Sequence, residues 1–426
     1  LSKQEKAVQQ VMQKTGRVAQ QKKGQSKEAF VLSVLVSGML SIGVMTQSRA
    51  ESLAPLQAKV DAAVTPIMQQ DGIPGMAIGV IRGDQTAVYT YGLASVEAKT
   101  PVTQDTLFEL GSISKTFTAT LTSLAELKHQ LKLTDPVEHY LPELAGHPFG
   151  KVTLLQLGTH TPGGLPLQVP DQIHTIPELM QYLKDWQPSY APDTTRTYAN
   201  PGIGTLGLIT ARAMGQDFDT LMVQRVFTPL GLTHSYLHVP ADQMANYAQG
   251  YSKTNQPVRM TGDVLSFASY GITSNVTDML HFLQANMQQV KLEPGLAEAM
   301  RKTHTGYYQT RLMTQDLMWE QYPYPVSLDT LISGNSPHML EPQPVTVIRP
   351  AMAPRTDVWI NKTGSTNGFG AYVAYVPKLK IGIVMLANHN FPMEDRVRLV
   401  YQIFNALHTP EPVDLPTKLA GKAVEK

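Results

Sequence analysis

From Leu56 onward the chain switches between two hydrophobic periods. Leu56, Val60, Val64 and Ile67 recur every three or four residues and predict a helix over residues 55–70. Gly75–Ile81 and Gln85–Tyr91 are short apolar and β-branched runs, joined at Arg82-Gly83-Asp84, and predict a hairpin. The helical period returns at Ile113, Phe117, Leu121 and Leu124, an amphipathic helix that begins near residue 112. From Lys128 to about residue 240, helical stretches are broken by Pro136, Pro142, Pro148, Pro162, Pro170, Pro188 and Pro192. Val152–Gly158, Leu206–Met214 and Phe218–Val226 are the helices expected there. From about residue 245 the sheet is expected to return, with strands at Val358–Lys362, Ala371–Val376 and Ile381–Leu386. Arg396–Leu407 closes the pattern as an amphipathic helix with Val397, Val400, Phe404 and Leu407 inward.

Strands at both ends and helices between them imply an α/β domain, residues 51–125 and 245–408, interrupted by a mostly helical domain, residues 126–244. Residues 409–426, rich in Pro and Lys, read as a tail. A cleft between two such parts would draw its residues from distant positions in the chain.

The first fifty residues follow a different pattern. Residues 1–28 are polar and basic, Ala29–Ser48 is uncharged, and Ser48-Arg49-Ala50 puts small residues on both sides of an arginine. This reads as a secretory signal peptide cut after Ala50, which directs the protein to the periplasm and leaves it free of the membrane. An uncleaved membrane anchor is the other reading of the same run. Residues 1–50 hold eight of the 35 basic and two of the 34 acidic residues, leaving 27 basic and 32 acidic beyond. The remainder is mildly acidic with no basic stripe, which argues against nucleic acid as a partner. There is no cysteine, so thiol catalysis, disulfides and thiolate metal sites are excluded.

Three short motifs carry chemistry. Ser112 and Lys115, three apart at a helix start, are neighbours on one face. An alcohol needs a base beside it, and a lysine serves only if burial or nearby cations lower its pKa from about 10.4. Tyr198-Ala-Asn200 is the only Tyr-x-Asn and is expected in a polar turn before the Leu206–Met214 helix. A phenol kept acidic by cations can take a proton from a serine and return it to a leaving nitrogen. Lys362-Thr-Gly364 is expected to end the Val358–Asn361 strand, offering an ammonium and a hydroxyl to a carboxylate. Lys14-Thr-Gly16 is a second copy, inside the expected leader.

Ser-x-x-Lys, Tyr-x-Asn and Lys-Thr-Gly in this order resemble the serine β-lactamase and penicillin-binding family. Tyr-x-Asn in the middle resembles its class C branch, the cephalosporinases. Longer stretches share the resemblance, among them residues 163–171, 362–370 and 383–388. It implies a β-lactamase/transpeptidase-like fold, an antiparallel sheet flanked by helices, and hydrolysis of cephalosporins and penicillins through a serine acyl-enzyme, with antibiotic resistance as the outcome. It further implies Ser112 as nucleophile and Lys115 and Tyr198 sharing proton transfer. Lys362 would keep Tyr198 acidic and, with Thr363, hold the substrate carboxylate, while Gly364 leaves room along the strand. The N–H groups of Ser112 and Ser365 would form the oxyanion hole. Gln168 and Asn200 would grip the acylamino group, with Tyr251 as an aromatic wall and Asn390 and Arg396 near the carboxylate end. Met393 stands where family members often carry Asn, and Asn361 where some carry His. No cofactor, no metal and no partner beyond small β-lactams is implied, and a monomer is expected.

Two rivals share the acylation step: a D-alanyl-D-alanine peptidase or esterase, and a penicillin-binding sensor without turnover. A metal hydrolase would have to use His234 and His238, which read as surface residues on loop or strand.

Overall fold

The computed structural model describes residues 56–408. The expected leader, its cleavage after Ala50 and the tail over 409–426 lie outside the described residues.

Five long strands form the centre of a ten-stranded sheet. Val358–Ser365, Gly370–Val376, Ile381–Ala387, Gly75–Arg82 and Gln85–Ser95 lie side by side in that order, every pair antiparallel. The first strand pair of the chain therefore closes onto the last strand, and the sheet is built from both ends as expected. The turn between the first two strands is two residues, Gly83 and Asp84, because Arg82 still pairs with Gln85. Gly83 takes φ +61°, which the tight turn needs and glycine supplies without strain.

Side chains alternate between two cores. Ala77, Ile81, Val358, Ile360, Ala371, Val373, Val384 and Leu386 face one cluster, with Phe117, Leu121, Met279 and Phe282. Met76, Ile78, Val80, Trp359, Tyr372, Ala374, Ile383 and Met385 face the other, with Val60, Val64, Val400 and Phe404. Helices cover both faces: Ser114–Leu127 and Val276–Asn286 on one, Leu56–Gln70 and Met393–His408 on the other. That is why Ile381–Ala387 is apolar at almost every position although the sheet is antiparallel. A third cluster, including Leu141, Leu157, Leu183 and Ile203, packs the helical segment between the two halves of the sheet.

Four expectations change in detail. The helix after Ser112 is not amphipathic: every residue from Ser114 to Ala125 is buried. Phe117 and Leu121 face the sheet, while Ala119 and Ala125 belong to the third cluster. Its threonines are tolerated because each hydroxyl is bonded: Thr116 donates to Ile113 O, Thr118 to Ala268 O and Thr120 to Thr116 O, and Thr122 pairs with Thr210. The helix expected at Leu206 starts at Asn200, with Pro201 at its first turn, where a missing N–H costs nothing. Strand Val358–Ser365 does not end at Lys362 but runs through Lys-Thr-Gly, with Thr363 opposite Tyr372 and Ser365 opposite Gly370. The main sheet resumes at Gly306 rather than near residue 245, since Gly250–Tyr251 and Pro257–Val258 form a separate two-stranded sheet.

Candidate active site

Ser112 sits in a single 3-10 turn, Gly111–Ile113, that leads into the buried helix. The turn presses against the strand that carries Lys362. A Cβ on Gly111 would lie 2.5 Å from Ser365 N, and one on Gly364 would lie 2.0 Å from Leu110 O. Gly111 also takes φ +53°. Glycine at both positions is thus what lets the serine turn and the strand edge touch. The contact puts Ser365 N–H beside the residue that precedes Ser112, so the two amides expected at an oxyanion come from adjoining segments.

Lys115 Nζ donates to Ser112 Oγ at 2.8 Å and to the Ser269 carbonyl at 2.8 Å. The lysine is fully buried. Burial pulls its pKa down to about 8, the Lys362 charge adds to this, and Tyr198 opposes it. Tyr198 lies across from it, its ring centroid 5.2 Å from Lys115 Nζ and 5.1 Å from Lys362 Nζ. Burial alone pushes the phenol up; the Lys115 and Lys362 charges and the Ser112 hydroxyl outweigh it and hold Tyr198 at about 8. A serine hydroxyl therefore faces two groups that exchange protons near neutral pH. Among the described residues, Tyr198 Oη and Asn200 Oδ1 are buried with no protein group in hydrogen-bonding geometry, so the Ser112 hydroxyl acts on the phenol from close by rather than through a formed bond.

These groups open on a cleft of about 1020 Å³. Ser112, Tyr198, Gln168, Asn200, Thr363 and Ser365 line it, and so does Asn390. Asn200 Nδ2 donates to Gln168 Oε1 at 2.9 Å, which ties the middle motif to the loop expected to hold the acylamino group. Asn390 Nδ2 donates to Thr366 O at 2.8 Å and fixes the turn after Lys-Thr-Gly.

The profile of the β-lactamase family matches residues 60–408. The chain belongs to the β-lactamase family. A β-lactamase from Pseudomonas fluorescens is 46% identical over 349 residues, 82% of this chain and 98% of that one. A class C β-lactamase solved in complex with cefoxitin is 46% identical, with a TM-score of 0.81 over 83% of this chain and 99% of that one. A D-alanine carboxypeptidase from Burkholderia cenocepacia is 52% identical, with a TM-score of 0.80 over 83% of this chain and all of that one. Sequence and fold together make this family member a class C serine enzyme.

Two residues of this β-lactamase family member are placed differently from the sequence reading. Tyr251 is 3% exposed and does not line the cleft; its phenol donates to Glu97 and accepts from Val96 N–H. Besides Tyr198, the tyrosine that lines the cleft is Tyr270, next to the Ser269 carbonyl that holds Lys115. Its hydroxyl bonds to Asp263. The short strand Gly250–Tyr251 buries the first tyrosine, while Tyr270 ends a helical turn packed on the Asn200–Met214 helix. Arg396 reaches the cleft floor but is 1% exposed, and its guanidinium is occupied by protein acceptors. Nε donates to Phe391 O, Nη1 to Gly364 O and Ser365 Oγ, and Nη2 to Asn390 Oδ1 and Phe391 O. It contributes charge and holds the end of the Lys-Thr-Gly strand, rather than offering a free fork to a substrate.

Other cleft residues have no motif. Arg196 and Glu320 line the wall beside Tyr198. His160 is 2% exposed, its ring centroid 4.4 Å from that of Tyr198, and Nδ1 accepts from Ala199 N–H at 3.2 Å. Burial, followed by the charges of Arg196, Lys115 and Lys362, keeps the imidazole neutral. Arg196 lies two before Tyr198 and ends the short strand Thr195–Arg196, and neither it nor Glu320 carried a sequence signal. Exposed His238 pairs with Asp219 at 3.0 Å and half-buried His234 with Thr233, so the two histidines have separate partners.

Proposed function

We propose that Ser112 is the acylated residue in β-lactam hydrolysis by this chain, with cephalosporins and penicillins as substrates. Ser112 Oγ attacks the lactam carbonyl while its proton passes to the Lys115–Tyr198 pair. The oxyanion develops between the N–H groups of Ser112 and Ser365. The C–N bond breaks, the proton returns to the nitrogen, and the acyl group remains on Ser112 as an ester. Water, deprotonated by the same pair, then attacks the ester and frees the serine. Lys362 and Thr363 hold the substrate carboxylate, and Gln168 and Asn200 the acylamino side. The observation that carries this reading is the 2.8 Å contact of a buried, acidified lysine with the serine hydroxyl.

The test is direct. Intact-protein mass spectrometry after brief exposure to a slowly hydrolysed cephalosporin should show one acyl adduct on wild type and none on Ser112→Ala. An adduct that survives the substitution would remove Ser112 from the role.

The 52% identity to a D-alanine carboxypeptidase supports a second reading, cleavage of D-alanyl-D-alanine peptides by the same acylation. Release of D-alanine from such a peptide, at a rate rivalling cephalosporin turnover, would favour it. Export to the periplasm by a cleaved signal peptide is part of the proposal, supported by the uncharged run Ala29–Ser48 and the small residues around Arg49. So is action as a monomer.

A further inference from the structure

Tyr198 faces more charge than the three motifs supply. Lys115 and Lys362 come from the motifs. Arg196 does not, yet its guanidinium carbon lies 5.3 Å from the Tyr198 ring centroid, nearly as close as the two ammonium nitrogens. Arg196 is fully buried. It donates through Nε to Gln315 Oε1 at 2.7 Å, through Nη1 to Met339 O at 2.8 Å and through Nη2 to Glu320 Oε1 at 3.1 Å. Glu320 is buried too, and its second oxygen accepts from Asn361 Nδ2 at 3.3 Å. Asn361 precedes Lys362 and stands opposite Glu320 across the strand pair. A single ion pair thus joins the segment of Tyr198 to the strand of Lys362.

Stability does not account for this pair. Taking two charges out of water costs free energy that their attraction barely repays, and apolar residues of the same volume often hold two segments as well or better. What apolar residues cannot do is shape the field at a neighbouring phenol. The groups that face Tyr198 are Ser112 and Lys115 from the serine turn and helix, Lys362 from its strand, the neutral His160 from the loop before it, and Arg196 with Glu320. Of these, Glu320 alone is negative, and its charge opposes the two lysines at Tyr198.

We propose that Glu320 and Arg196 are positioning residues for Tyr198: the pair fixes the phenol against the serine and sets how readily it gives up its proton, Arg196 favouring release and Glu320 opposing it. The inference rests on the proton-transfer role given to Tyr198 above.

The test is the acid limb of the kcat/KM–pH profile for a chromogenic cephalosporin. Glu320→Gln keeps an acceptor for Arg196 and removes the negative charge. The limb should move to lower pH by roughly one unit, whichever member of the Lys115–Tyr198 pair carries the proton. Arg196→Met should move it the other way, and Arg196→Met/Glu320→Gln should return it close to wild type. Melting temperatures identify variants that fail to fold; if Arg196→Met alone does, Glu320→Gln and the double variant still decide. Ultraviolet difference titration of each protein against its Tyr198→Phe counterpart reads the phenol itself, without turnover, and should shift in step. Activity lost at every pH with the limb unmoved would reduce the pair to a structural tie and overturn the inference. If Tyr198→Phe keeps both turnover and limb, the role given to Tyr198 fails instead, and the two failures are distinct.

Discussion

Among the described residues no carboxylate forms a salt bridge with Lys115; the Asp263 charge acts on it only from a distance. Its ammonium has the Ser112 hydroxyl and the Ser269 carbonyl as partners, and burial brings its pKa to about 8. Tyr198 is held at about 8 by the lysines around it. A base must be unprotonated to act, and both groups gain protons as pH falls below about 8. kcat/KM should therefore rise with pH toward 8 and fall by about tenfold per unit below the acid limb, as steady-state rates across buffers would show. A profile flat from about pH 5 to about pH 9 would contradict the assignment. Lys362 offers a sharper test. Its charge favours the unprotonated form of both Lys115 and Tyr198, so Lys362→Ala should move the acid limb to higher pH, and Lys362→Arg should move it less. Loss of a charge-assisted bond to the substrate carboxylate, roughly 1.5–3 kcal/mol, adds a fall in kcat/KM on the order of tenfold to a hundredfold. That deficit should shrink for a substrate without the carboxylate. At this scale the sequence was readable where a motif fixes neighbours in the chain, as for Ser112 and Lys115. It was not readable for Tyr270, Arg196 or Glu320, whose places depend on which strands and turns meet in space. Nothing in the local sequence ranks Tyr270 above Tyr251, and only the packing of the Ser266–Ser269 turn on the Asn200–Met214 helix brings one of them to the cleft.

Elements were legible where one hydrophobic period faces one core. Leu56–Gln70 and the closing helix each bury a single stripe, and their periods are plain. The Ser114–Leu127 helix lies between two cores, so its polar threonines disguise an element buried on every side. The first turns of the Asn200–Met214 helix, before the expected start at Leu206, were hidden by Pro201 and the glycines, which have a packing reason. A Cβ on Gly204 would lie 2.6 Å from Leu265 Cβ, and one on Gly207 2.4 Å from Ala268 Cβ. This crossing positions the Ser269 carbonyl under Lys115. Gly207→Ala should thus cost about 1–3 kcal/mol through overpacking and lower the melting temperature by several degrees. It should also reduce kcat, because the Ser269 carbonyl must shift. Ala268→Gly in the same chain should recover part of both, as thermal melts and steady-state rates would reveal. No recovery would mean that the crossing and the lysine are uncoupled.

For the whole molecule, the sheet closes the two ends of the chain on each other and leaves the cleft where the serine turn meets the Lys362 strand. That plan was legible because apolar strands stood at both ends of the sequence with a Pro-punctuated helical stretch between them. The proposed leader belongs to the same scale: protein recovered from a periplasm should begin at or near Glu51, and an N-terminal sequence that retains Phe30–Val44 would make the run an anchor instead. Acylation alone does not distinguish an enzyme that destroys β-lactams from a sensor that traps them. The decisive measurement is steady-state hydrolysis of a chromogenic cephalosporin by the purified protein, followed well beyond one equivalent. The account predicts sustained linear turnover that disappears in Ser112→Ala. A single stoichiometric burst followed by arrest would contradict it.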